Sequence, residues 1–194
     1  MFVISPTTEF YFNRYHCLEV GKMLTLEQCT ELVVEIEKYP SKNYDRQQLK
    51  SPHWYAKPPS EMILDLLTES VSELVGEELF PTYSYVRKYL PGDVLEKHFD
   101  LPACEFGVSI MLAESRENNW PLLIPAYEDS HSVREIFQKP GDGVIIKGCD
   151  VPHWRDEFVS ESDDDWQYQG LFHYVSACGP NSHLKYEGKD RLNY

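Results

Sequence analysis

Three side chains in the second half of the chain have the types and order of a metal-binding set. His98-Phe99-Asp100 follows the turn Pro91-Gly92-Asp93. In an extended segment, residues i and i+2 point to the same side, so an imidazole and a carboxylate can meet one point. A third ligand has to come from another strand. His153 lies 53 residues beyond Asp100, just after the apolar run Gly143-Val-Ile-Ile-Lys-Gly148. Two histidines and one carboxylate on a rigid β scaffold leave open coordination positions, the donor set of non-haem Fe(II) oxygenases; zinc accepts the same donors. His173 competes for the third place, although no Gly-Asp strand precedes it at the right distance.

The elements that must position these residues fall into two groups. Thr25 to Tyr39 reads as an amphipathic helix: Thr25 and Gln28 form a capping box, Leu26, Cys29, Leu32, Val33 and Ile36 recur at helical spacing, and Pro40 stops it. Residues 40–59 read as a Pro-rich loop and a candidate lid. Ser60 to Val75 reads as a second helix, capped by Ser60 and ended at Gly76, with an apolar stripe from Met62, Ile63, Leu66, Leu67, Val71, Leu74 and Val75. Its acids Glu61, Asp65, Glu69, Glu73 and Glu77 recur every fourth position, which predicts a solvated face. From residue 81 the period changes to two. The runs 81–89, 106–112, 143–148, 151–158 and 166–175 are short, rich in β-branched and aromatic residues, and bounded by turn formers. Helices followed by antiparallel strands predict an α+β fold whose sheets form a sandwich or small barrel buttressed by the helices. We read 1–194 as one domain, with a helical part to about residue 80 and a β core over about 81–180.

Composition narrows the function classes. Lys and Arg number 18 against 32 Asp and Glu, a net charge of −14, with 42% hydrophobic residues. Such a chain folds, and it lacks the cations needed to displace counterions from phosphates, so neither nucleic acid nor an anionic membrane is an expected partner. The cysteines Cys17, Cys29, Cys104, Cys149 and Cys178 are odd in number and form no C-x-x-C pair, so each is read as a buried small hydrophobe in a reducing cytoplasm.

The two histidine segments carry a resemblance. Tyr89-Leu-Pro-Gly92-Asp-Val-Leu95-Glu-Lys-His98-Phe-Asp100 resembles the Y-x-x-G-x-x-φ-x-x-H-x-D segment of prolyl-4-hydroxylase-like 2-oxoglutarate/Fe(II) dioxygenases. Lys139-Pro-Gly-Asp142 through Gly148-Cys-Asp-Val-Pro-His153-Trp-Arg155 resembles that superfamily's G-D-x-φ-φ-φ-x-G…H segment. Phe172-His-Tyr-Val175 and Cys178-Gly-Pro180 are similar to bacterial and phage members whose distal histidine also sits in an H-W-R triplet. The resemblance implies a double-stranded β-helix (jelly-roll, cupin-like) with His98, Asp100 and His153 as iron ligands. It further implies Fe(II), O₂ and 2-oxoglutarate as cofactor and cosubstrates, ascorbate as a candidate reductant, and hydroxylation of a C–H bond in a small amino-acid-like molecule or a peptidyl residue. Relatives that halogenate lack the carboxylate that Asp100 supplies.

In that family a buried cation receives the far carboxylate of 2-oxoglutarate, often on the strand roughly nine to twelve residues after the distal histidine. Here that window, Ser162 to Asp165, is acidic. Arg155 is the expected replacement, because i+2 from His153 keeps it on the ligand-facing side. Lys147 and Arg87 are runners-up. Tyr89 stands where the family often has a cosubstrate-contacting tyrosine, and Tyr85 and Arg87 share its face by alternation. Trp54, Tyr55, Trp120, Trp154 and Trp166 are candidates for the substrate wall, and the acids of 161–165 read as a solvated loop. The missing downstream cation leaves a non-catalytic jelly-roll binding module open, and the shared donor chemistry leaves a zinc-dependent cupin-type enzyme open. The sequence does not choose between monomer and homodimer.

Overall fold

The computed structural model describes residues 6–43, 51–117, 120–126 and 132–188. Its elements in chain order are helix α1 (Pro6–Tyr15), strand β1 (Cys17–Val20), α2 (Leu26–Ile36), β2 (His53–Tyr55), α3 (Pro58–Val75), β3 (Leu79–Tyr89), β4 (Leu95–His98), β5 (Phe106–Glu114), β6 (Leu122–Pro125), β7 (Val133–Ile136), β8 (Gly143–Lys147), β9 (His153–Arg155) and β10 (Gln167–Ser176). Two antiparallel sheets result: six strands in the order β1-β8-β5-β10-β3-β2, and four in the order β4-β9-β6-β7. This is the expected α+β architecture, a double-stranded β-helix with helices on one side. Among the described residues no helix is long and apolar enough to cross a membrane.

The larger sheet has two faces of opposite chemistry, set by alternation. Val86 of β3, Val108, Ile110 and Leu112 of β5, and Tyr168, Phe172 and Tyr174 of β10 are buried against Phe12, Leu32, Ile36, Leu64, Leu67 and Val71 of the helices. The intervening positions, Tyr85, Arg87 and Tyr89, Gly107 and Ser109, and Gln169, Leu171 and His173, face a cavity on the other side. A smaller apolar cluster, Cys17, Leu122, Ile124, Ile136, Val144 and Ile146, joins the two sheets.

The helix ends follow local chemistry, once against expectation. In α2 the Thr25 hydroxyl accepts from the Gln28 N–H and the Gln28 side chain accepts from the Thr25 N–H, the reciprocal capping box. Helix α3 starts two residues before the expected Ser60 cap. Pro58 and Pro59 fill its first turn, where their missing N–H groups are no loss. Ser60 is instead buried, donating to the Lys57 carbonyl and accepting from the Ser84 hydroxyl at 2.7 Å. Gly76 ends α3 at φ 80°, as the glycine predicted.

Other expectations are corrected. Met62 and Leu66 leave the apolar stripe, being 72% and 57% exposed, because α3 meets the sheet along a narrower line. Glu61 is not part of a solvated face: its carboxylate accepts from the Ser84 N–H at 2.7 Å and the Ser84 hydroxyl at 2.6 Å. The stretch 40–59 is not all loop, since 53–55 pair with β3 as an edge strand; residues 44–50 lie outside the described residues. Cys17, Cys29 and Cys104 are buried, but Cys149 is partly exposed and Cys178 exposed. Asp165 leaves the solvated loop: it is 6% exposed and accepts from Ser115 at 2.9 Å and from the Arg116 Nε at 2.7 Å.

The seam between helices and sheet should dominate stability. Phe172→Ala, at a side chain with 0% exposure, is expected to cost about 3–5 kcal/mol. Thr25→Ala should cost about 1 kcal/mol through the lost cap. Urea titrations of the two variants against the parent chain check both values.

Candidate active site

Strands β4 and β9 pair antiparallel with His98 directly opposite His153, and this register builds the site. The two imidazole centroids lie 4.5 Å apart. Asp100 completes the group from just beyond β4: its Oδ1 is 3.5 Å from His98 Nε2 and 3.7 Å from His153 Nε2. One donor atom from each of the three lies within 4.8 Å of the others, a spacing that can hold a metal ion. The opposite ring nitrogens are occupied: His98 Nδ1 is 2.7 Å from the Glu96 carbonyl and His153 Nδ1 is 3.1 Å from the Val151 carbonyl. A backbone carbonyl on Nδ1 fixes the proton there and turns the Nε2 lone pair inward, the arrangement a metal-binding histidine requires.

Electrostatics favour the ligand state at two of the three donors. Burial holds His153 below the usual imidazole range, keeping it neutral. At His98 burial works the same way, but hydrogen bonds to Asp100 and the Glu96 carbonyl outweigh it and raise the group. Burial also opposes ionisation of Asp100, yet the His98 hydrogen bond and the neighbouring imidazoles hold its carboxyl below the usual range. The Asp100 carboxylate and the neutral His153 are already in the state a divalent ion takes, whereas His98 has to give up the proton that Asp100 favours, so binding would release a proton there.

Two glycines make room for the carboxylate. The Asp100 N–H donates to the Gly148 carbonyl at 2.9 Å, and a Cβ at position 148 would lie 2.0 Å from Asp100 Oδ2. At Gly107 a Cβ would lie 3.4 Å from the same oxygen.

The cavity beside the group has a volume of about 620 Å³. His98, Asp100, His153, Arg155, Tyr89, Tyr85 and Arg87 all line it. Arg87 and Arg155 are both 2% exposed and form its cationic floor. Arg155 donates to the Trp120 carbonyl at 2.7 Å and to Gln138 Oε1 at 3.0 Å, and burial lowers its pKa to about 10. The guanidinium thus points inward, away from the neighbouring Asp156 and Glu157. Arg87 donates to the Tyr85 hydroxyl at 2.9 Å and lies over the rings of Tyr85 and Tyr89. Lys147 is elsewhere, over the rings of Phe12 and Phe106.

His173 lines the cavity outside the three-residue group. Its Nδ1 is 3.3 Å from the Tyr83 carbonyl and its ring packs 4.5 Å from that of Tyr83. The expected tryptophan wall is absent from this cavity. Trp54 is in the helix-side core, Trp120 packs on Tyr89 and Phe158, Trp154 carries Lys97 at 4.4 Å, and Trp166 meets Tyr168; of that set only Tyr55 lines the site. Sequence reasoning also missed Ser109 and Gln169. The period-two alternation that puts His173 inward puts Gln169 there too.

No protein-family model and no curated protein matches the chain. Solved structures do. The chain is similar to an oxidoreductase of the 2OG-Fe(II) oxygenase family from Burkholderia pseudomallei, at 13% identity over 87% of this chain and 88% of that one, with a TM-score of 0.70. It is also similar to HygX from Streptomyces hygroscopicus bound to nickel, 2-oxoglutarate and hygromycin B, at 11% identity over 90% and 88% of the two chains, with a TM-score of 0.71. A Pseudomonas putida prolyl-4-hydroxylase aligns at 13% identity over 86% of this chain and 97% of that one, with a TM-score of 0.62. The fold is that of the 2-oxoglutarate/iron(II) oxygenases. At such identities the likeness is one of backbone architecture, and what this chain does with it has to be argued from its own side chains.

Gly148 offers a selective test. Its φ lies outside the left-handed region, so the backbone accepts alanine while the new methyl displaces Asp100. Gly148→Ala should keep the far-ultraviolet circular dichroism of the parent and lose roughly 10- to 100-fold in Mn(II) affinity, measured by calorimetry.

Proposed function

We propose that the chain is a non-haem Fe(II)/2-oxoglutarate-dependent dioxygenase that hydroxylates a C–H bond of a small amino-acid-like molecule or a peptidyl residue, with release of succinate and CO₂. The observation that carries this reading is the convergence of His98 Nε2, His153 Nε2 and the Asp100 carboxylate on one point of a cavity floored by two buried arginines. The three donors would hold the iron, with three positions left for other ligands. When bound, iron, O₂ and 2-oxoglutarate supply the oxidising power. The structural likeness to proteins crystallised with nickel or iron and with 2-oxoglutarate supports the assignment.

The protein's own groups orient and shield. Arg155 and Arg87 would receive the far carboxylate of 2-oxoglutarate, since a guanidinium out of water pairs most strongly with an anion that can take two hydrogen bonds. Tyr85 steadies Arg87 by accepting its hydrogen bond. Tyr89, wholly buried and within the field of both guanidinium groups, closes the floor with Trp120 and Phe158 and keeps water out.

Two measurements test the reading. Purified protein with Fe(II) should release succinate from 2-oxoglutarate in a coupled assay, and His153→Ala or Asp100→Ala should abolish the release; full activity in either variant overturns the metal assignment. Arg155→Met and Arg87→Met should each weaken 2-oxoglutarate binding to the Mn(II)-loaded protein by roughly 10- to 100-fold, the worth of a charge-assisted hydrogen bond. Calorimetry reads that loss directly.

A further inference from the structure

Strand β10 presents Gln169, Leu171 and His173 to the cavity, and Phe172 and Tyr174 to the helices. Gln169 is 1% exposed, and its side chain is only half satisfied. Its Oε1 accepts from the Ser109 hydroxyl at 3.2 Å, whereas its Nε2 has no hydrogen-bond partner among the described residues. A buried amide N–H in that state has given up water and gained no acceptor in return. On the helix side of the same sheet the buried Ser84 has no such gap, since Ser60 and Glu61 meet its hydroxyl. The unmet donor belongs to a residue that lines the cavity, where a guest would sit.

Two features group this donor with the arginines. In the ladder between β10 and β3, Gln169 stands directly opposite Arg87, so the two side chains leave the sheet side by side. The second feature is a line of hydrogen bonds. Arg155 donates to Gln138 Oε1 at 3.0 Å, Gln138 Nε2 donates to the Ser109 carbonyl at 2.8 Å, and the Ser109 hydroxyl donates to Gln169. Ser109 therefore steadies Arg155 through its backbone and Gln169 through its side chain. With Oε1 engaged, the N–H groups are what the amide has left to offer.

We propose that Gln169 is a third donor to the far carboxylate of 2-oxoglutarate, beside Arg87 and Arg155, and that Ser109 is the positioning residue that keeps its amide turned for the task. This rests on the dioxygenase reading of the cavity and adds to it how the chain selects a dicarboxylic oxo acid. A carboxylate accepts at about four lone-pair sites, so an amide donor fits beside two guanidinium groups. A neutral donor adds a directed bond without placing a third cation next to two buried ones. An oxo acid that ends in a methyl group would leave these donors unpaired away from water, and such a site discriminates strongly against the analogue that lacks the acceptor.

The test compares 2-oxoglutarate with 2-oxopentanoate, which has the same carbon chain but a methyl group at the far end, by calorimetry on the full Mn(II)-loaded chain. The parent should bind 2-oxoglutarate more tightly. Gln169→Met, close in volume and without the donor, should weaken 2-oxoglutarate roughly 10-fold and leave the affinities for 2-oxopentanoate and for Mn(II) itself unchanged. Gln169→Glu, which keeps the acceptor oxygen and loses the donor, should weaken 2-oxoglutarate at least as much. Ser109→Ala should cost about threefold, and Ser109→Thr, which keeps the hydroxyl, should restore the affinity. Parental 2-oxoglutarate affinity in Gln169→Met overturns the assignment, and so does parental affinity in Gln169→Glu, by showing that the side chain offers its oxygen. Equal losses for the two oxo acids, or a loss of Mn(II) affinity, overturn it by showing that Gln169 only shapes the cavity. A loss in Ser109→Ala that Ser109→Thr does not restore removes Ser109 from the positioning role. Failure of the parent chain to bind Mn(II) or 2-oxoglutarate is a different result and overturns the dioxygenase reading itself.

Discussion

The pairing of β4 with β9 is the interaction on which everything else depends. Facing residues of an antiparallel pair hold their Cβ atoms about 5 Å apart, which brings the His98 and His153 rings to 4.5 Å and turns both Nε2 atoms toward Asp100. The strands are short, four and three residues, and their register shifts between Leu95 and His98. Support therefore comes from outside the ladder. Phe158 and Asp93 exchange a backbone bond of 2.8 Å, Gly92 donates to the Phe158 carbonyl at 2.9 Å, and Arg155 ties β9 to Trp120 and Gln138. Arg155 thus holds the histidine strand in place while presenting its charge to the cavity.

The larger sheet does for the cavity what β4 and β9 do for the donors. Its helix-side positions are mostly apolar, with Ser84 satisfied by Ser60 and Glu61 of α3, and burying them against α2 and α3 supplies the stability that a polar interior does not. That frees the other face to carry Arg87, Ser109, Gln169 and His173. Ser109 donates to Gln169 Oε1 at 3.2 Å, while Gln169 Nε2 has no hydrogen-bond partner among the described residues. Buried polar atoms are normally satisfied, and an exception facing a cavity belongs with a polar guest.

Much of this was readable in advance, for identifiable reasons. The capping box of α2 and the glycine end of α3 are local chemistry, complete within a few residues. Strands β3, β5 and β10 run 11, 9 and 10 residues, long enough for their period to show, and β8 shows as a continuous apolar run between glycines. Strands β1, β2, β6 and β7 are three or four residues long, and a run that short has no period to read; helix α1 was hidden for the same want of a clear stripe. Ser60 was misread because two prolines before it start the helix earlier. The tryptophans were misread because a large aromatic side chain is recognisable in sequence, but the side of the sheet on which it is buried is not.

The sequence by itself determined the donor types and their order: His-x-Asp in an extended segment, a distal histidine after an apolar strand, and Arg155 on the same side as that histidine. Those follow from side-chain chemistry and from the period of two, which are properties of neighbours along the chain. Only the tertiary structure decided that His98 faces His153, that Arg87 from β3 joins Arg155 at one floor, and that Gln169 of β10 takes its hydrogen bond from Ser109 of β5. Each of these is a contact between residues dozens of positions apart. Their distances depend on how strands are ordered and registered across two sheets, and no local propensity encodes that order.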